Sequence, residues 1–241
     1  MKRTLAAGFG LFLALIAGPA TADESAPAPQ TSPLQGTPFE SGPNAAAVPK
    51  LKAGGSIVRS SADNSLTQDD RFRLRMLGLK KTHSAAVVLR KIPRTDVARQ
   101  SARLKAFAKS LDSLAPSGAC DAIVAAGDSH AMCTGHVDGP LGKVPVRMPV
   151  SSKIESGEGG ALKMTITNHA PMEAKPFLGW SEVVAPGGLK VAIELFPTDD
   201  GWLEYTRVGV EMSAHEGSAK TISDAMLKLE GWMSLELGKT R

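Results

Sequence analysis

An α+β fold, a curved antiparallel sheet with one long helix at its C-terminal end, is what the sequence predicts, and three observations predict it. From Ala122 to Met212 apolar residues recur with period 2, the mark of half-buried strands. Short turn signals separate the runs: Gly157-Glu158-Gly159-Gly160, Pro186-Gly187-Gly188 and Asp199-Asp200-Gly201. The period then switches to that of a helix between Ala219 and Leu237, where Ile222, Ala225, Met226, Leu229, Trp232 and Met233 share one broad face. Antiparallel strands followed by a single amphipathic helix leave an apolar concave face that this helix must cover.

Residues 1–22 read as a secretory signal peptide. Lys2 and Arg3 open it, the apolar run Leu5 to Ala17 follows, and Ala20-Thr21-Ala22 supplies small residues for cleavage. The run is too short to span a bilayer comfortably. A periplasmic or secreted protein is expected, beginning at Asp23. Residues 23–66 are rich in Ala, Pro, Ser and Gly, show no apolar period, and read as a disordered leader. The folded domain is expected over 67–241.

Within that domain, Thr67 and Asp70 have capping-box-like spacing ahead of Phe72, Met76 and Leu79 at helical intervals, although Phe72, Leu74 and Met76 also fit a strand. His83 to Ile92, β-branched toward its end and bounded by Pro93, reads as a strand. Thr95 or Asp96 caps a helix reaching Leu114, stopped by Pro116 and Gly118. Val144, Val146, Met148 and Val150 alternate with polar residues and with Pro145 and Pro149, which push this strand toward an edge or a bulge. Leu162, Met164 and Ile166 form a second alternating set, and Leu189, Val191, Ile193 and Leu195 a third. In the last strand Leu203 and Tyr205 share one parity while Val208, Val210 and Met212 share the other, so a bulge near Thr206 is expected.

Charge narrows the function. Residues 1–120 carry 17 Lys and Arg against 8 Asp and Glu, and residues 121–241 carry 11 against 16, giving the net +4. That is too little for strong nonspecific nucleic-acid binding, and export argues against it independently. The two cysteines, Cys120 and Cys133, are expected to form a disulfide in an oxidising compartment, worth roughly 3 kcal/mol in the chain-entropy model. With His130 and His136 they comprise four acceptable zinc ligands, but a strand through His130-x-x-Cys133-x-x-His136 turns Cys133 away from both histidines, so no metal is expected.

Strand, helix, antiparallel strands and a closing helix, ending in GWLEYTRVGVEMS and SAKTISDAMLKLEGWM, is an order that resembles the START-like, or SRPBCC, helix-grip superfamily over residues 83–237. The resemblance implies a sheet wrapped around the last helix, with an apolar cavity between them for a lipid or similar hydrophobic small molecule. The lining expected for it is Met148, Met164, Ile166, Trp180, Ile193, Tyr205, Met226 and Trp232, with no cofactor and no catalytic residue.

Two alternatives stand beside this reading. One is an envelope interaction module in which the proline-rich leader meets a protein partner. The other rests on Gly127-Asp128-Ser129, which resembles the nucleophile block of GDSL esterases, with Ser129 as nucleophile. The Asp-x-x-His base of that family is missing, since the C-terminal region offers only His215, with Glu211 at the wrong spacing.

Overall fold

The computed structural model describes residues 34–93, 102, 121–126, 129–139, 142–214 and 219–238, with some side chains near 123–125 and 137–139 and most of those after 225 left undescribed. The helix expected over 95–114 lies outside these residues, as do the signal peptide and residues 23–33. Ten strands and three helices follow along the described chain. They are α1 (Gly42–Lys52), β1 (Ser56–Ser60), α2 (Gln68–Arg75), β2 (Ser84–Pro93), β3 (Ala122–Ala125), β4 (His130–Gly139) and β5 (Gly142–Ser156). After them come β6 (Leu162–Asn168), β7 (Met172–Ala174), β8 (Ser181–Val184), β9 (Leu189–Thr198), β10 (Gly201–Val210) and α3 (Ala219–Gly238). Every strand pairing is antiparallel, in the order β1-β2-β10-β9-β6-β5-β4-β3, with β7 on β5 and β8 on β7.

The sheet carries two cores, one on each face. On the concave face, Ile92, Ile193, Met164, Met148 and Trp202 belong to one buried cluster with Ala219 and Ile222 of α3. On the outer face, Val87, Leu89, Leu203, Tyr205 and Ala192 pack with Phe39, Leu51, Leu66 and Leu74. The second cluster corrects the expectation of a disordered leader to residue 66. Pro33–Arg241 is one compact unit, and residues 34–66 supply α1, β1 and three large core side chains to it.

A buried polar knot fastens this segment. The Arg59 guanidinium donates from Nη2 to Asp70 Oδ1 at 2.9 Å and to Asn44 of α1, and its Nε lies 2.7 Å from Asp70 Oδ2 as an ion pair. Asp70 further accepts from the Tyr205 hydroxyl at 3.1 Å and closes the predicted capping box with Thr67. The box settles the open choice for this stretch in favour of a helix. Arg207 of β10 holds the other end of α2 through the Arg73 carbonyl, at 2.8 Å.

Two-sided burial also removes the expected bulge near Thr206. β10 is paired residue for residue with β2 and β9 from Gly201 to Val210, and every one of its residues is buried. The change of apolar parity reflects two cores: Leu203 and Tyr205 face the outer one, and Trp202, Val208 and Val210 the concave one.

β5 is not an edge strand either, since β4 pairs with it on one side and β6 and β7 on the other. Its prolines sit where the second side lapses. Pro149 falls between the β6 and β7 pairings and Pro145 just beyond β7, so a missing N–H breaks no ladder bond there. Their carbonyls still accept, from His169 at 3.2 Å and Lys175 at 2.9 Å. The corner between β6 and β7 is held by Asn168, fully buried, whose amide donates to the Ala185 and Ala170 carbonyls while its oxygen accepts from the Leu189 N–H at 2.8 Å.

Candidate functional site

The concave face is the candidate site. Strand parity brings Met148 of β5, Met164 and Ile166 of β6 and Ile193 of β9 into one apolar cluster with Ala219 and Ile222 of α3, each of the four no more than 5% exposed. Met172 and Met212 join them, so four thioethers with adaptable shapes lie in this cluster. Met226 and Trp232 are carried on α3, but their side chains lie outside the described residues.

Two predicted lining residues lie elsewhere. Tyr205 faces the outer core, where burial and the neighbouring Asp70 carboxylate push its phenol well above the ordinary tyrosine range. Its odd parity along β10 places it there. Trp180 sits in the β7–β8 connection, 39% exposed, with the Arg147 guanidinium stacked 4.5 Å from its ring centre. A turn residue beyond the end of a strand has no inward face to occupy.

The feature that sequence reading missed is polar. Glu204 and Thr206 share the parity of Trp202 and Val208, hence the concave face, and Glu204 is fully buried. The Thr206 hydroxyl donates to its Oε1 at 2.7 Å, and Arg90, its cross-strand partner on β2, approaches to 3.6 Å. A carboxylate at the parity of Trp202, Val208 and Val210 was the available signal: Trp202, Glu204, Thr206, Val208 and Val210 read as one face once two-sided burial is allowed.

Among the described residues neither alternative chemistry is assembled. Ser129 lies in a hairpin turn between β3 and β4, with φ of 63° and the Ala126 N–H donating to the His130 carbonyl across it. A nucleophile elbow needs a strand entering a helix, whereas here a strand enters a strand. His215 lies outside the described residues. On β4, Cys133 is buried in the concave cluster while His130 and His136 are exposed on the other face, one ring against His169 and the other bonded to Asp121. Among the described residues no group of His, Cys, Asp and Glu could hold a metal ion. Cys120 lies outside the described residues, so its expected pairing with Cys133 does too.

No family model matches the chain, and no curated protein matches it. Solved structures do. The chain is similar to a STAR-related lipid transfer protein from Xanthomonas axonopodis, at 14% identity over 67% of this chain and 90% of that one, with a TM-score of 0.40. A protein from Mycobacterium smegmatis matches at 9% identity, over 65% and 92%, with a TM-score of 0.37. One from Nitrosomonas europaea matches at 13%, over 65% and 97%, with a TM-score of 0.29.

Proposed function

We propose that this is an exported, non-catalytic protein that carries or sequesters a lipid or other hydrophobic small molecule bearing one polar group, held between the concave face and α3. The observation that supports this reading is Glu204. A carboxylate on an apolar sheet face costs several kcal/mol to bury, and a filled core would be served better by a hydrophobic residue of similar volume. Ligand sites, by contrast, are mostly apolar with a few convergent polar groups. Glu204 and Thr206 offer a fixed acceptor and a hydroxyl there, and the partly exposed Arg90 offers a cation.

Export fits the same picture. The signal-like residues 1–22 deliver the chain to an oxidising compartment, where Cys133 pairs with Cys120 and ties β4 to the segment before β3. Organic extraction of the protein purified from its native envelope should release a bound lipid, identified by mass spectrometry. The delipidated form should take up a fluorescent fatty acid, and Glu204→Gln should weaken that uptake. Empty extracts together with no uptake would sink the proposal.

A further inference from the structure

The concave cluster does not stop beneath α3. It runs along β5, β7 and β8 through Val146, Ala174, Val183 and Val184, to the base of the β7–β8 hairpin. Beyond that base the connection reads Lys175-Pro176-Phe177-Leu178-Gly179-Trp180, with Phe177 and Leu178 standing in solvent and one face of Trp180 against Arg147. Phe177 is 74% exposed, Leu178 99% and Trp180 39%. Single exposed apolar residues are ordinary, but three within four positions at the tip of one hairpin are not. Nothing in the turn asks for them, since a hairpin connection of this length is served by polar residues.

We propose that this hairpin docks the protein on a lipid bilayer. Phe177 and Leu178 enter the edge of the hydrocarbon layer, Trp180 lies at headgroup level, and Lys175 reaches the phosphates. The inference deepens the carrier reading and rests on it, because a lipid leaving the membrane at this end meets an apolar face continuous with the concave cluster.

Three observations favour a membrane over a protein partner. The tip is narrow and convex: Leu178 touches almost nothing of its own chain, and no atom outside its immediate neighbours lies within 4 Å of a Cβ built on Gly179. A stable protein contact needs about 800 Å² on each side and a rim that keeps water from its centre, and a protruding turn provides neither. The residue types are also those of a bilayer interface, with a tryptophan and lysines bracketing the apolar side chains. Lys175 and Lys143, the latter near the start of the neighbouring β5, are both exposed at this end of the sheet, and the Glu173 carboxylate is bonded to Arg147 at 2.5 Å.

The test uses the full mature chain and vesicles of phosphatidylcholine and phosphatidylglycerol carrying brominated acyl chains. The vesicles should quench tryptophan fluorescence, and in a Trp232→Phe background, where the buried Trp202 is the other tryptophan left, Trp180→Phe should abolish most of the quenching. The double variant Phe177→Ser/Leu178→Ser should lower vesicle partitioning at least about tenfold, while Phe72→Ser/Met76→Ser, at the other exposed apolar pair, should leave it unchanged. Fatty-acid uptake in solution, measured without vesicles, should survive the tip variant and judges the carrier reading separately. Absence of vesicle binding by the unaltered protein, or binding indifferent to the tip, overturns the docking proposal. So does self-association that the tip variant dissolves in the absence of vesicle binding, which would make the hairpin a protein contact.

Discussion

Replacing Phe39 with alanine should destabilise the protein by about 3–5 kcal/mol, the range for deleting a buried aromatic ring. Phe39 is 2% exposed and meets Phe196 and Tyr205 edge-on, with ring centres 6.0 and 6.3 Å away at 76° and 86°. Such aromatic pairs add about 0.5–1.5 kcal/mol each beyond area burial, which places the substitution toward the upper part of that range. In a domain of this size 1 kcal/mol moves the melting temperature by about 2–4 °C, so a fall of roughly 6–20 °C is expected. Urea unfolding followed by tryptophan fluorescence measures the same quantity through its midpoint. Phe72→Ala, at a side chain 55% exposed, is the control and should stay within about 0.5 kcal/mol. If Phe39→Ala is equally silent, the segment from 34 to 66 is no part of the fold, and the outer core described above is refuted.

Asp70→Asn leaves Arg59 buried without its carboxylate and should cost about 3–5 kcal/mol by the same urea assay, and Arg59→Met combined with Asp70→Leu should recover only part of it, because Tyr205, Asn44 and the Thr67 N–H lose their partners as well. Asn168→Ala strands the Leu189 N–H and the Ala170 carbonyl at the sheet corner and leaves the Ala185 carbonyl with the Gly188 N–H, for an expected loss of about 2–4 kcal/mol. Asp63 accepts from Ser65 and Ser60, which holds its carboxyl down to about 2; its contribution is complete above the ordinary carboxylate range and lost as pH falls through about 2. The stability gap between the native chain and Asp63→Asn should therefore be constant from neutral pH to about 5 and shrink toward pH 2. Replacing Arg90 with Met and Glu204 with Leu together should leave stability unchanged or raised while abolishing fatty-acid uptake; a large loss of stability would mark the pair as a structural tie instead.

The strands that face a single core were legible because burial wrote a clean period into them. Leu162, Met164 and Ile166 alternate without exception, and the matching burial along β6 is just as regular. The same logic failed on β10, where both faces are covered and no period survives. It failed on residues 34–66 for the opposite reason. α1 contains two prolines and a run of alanines and reaches the outer core through Leu51 and Val48, so no apolar stripe announces it. Its remaining anchors, Asn44 and the Arg59 that binds it, are residue types that ordinarily mark a surface. Only tertiary pairing with Asp70, eleven positions along the chain from Arg59, makes them interior. Parity placed Met148, Met164, Ile166 and Ile193 on one buried face, and Tyr205 was misplaced because its parity belongs to the other face.

These two misreadings have one physical origin, and it bears on function. A sheet covered on its outer face by α1, α2 and the Arg59–Asp70 knot holds a core that does not depend on what lies under α3. Stability anchored on the outer face leaves the concave face free to keep residues that a core alone would reject. Glu204 is such a residue: it sits on the central strand, shared between β2 and β9, where its replacement by leucine would suit packing. Natural sequences carry stability costs of this kind where activity requires them. The outer core is therefore what allows a polar spot to persist within the concave face, and removing the ligand proposed above should leave the sheet folded, with hydrogen exchange slow at Val87, Leu203 and Tyr205 with and without it.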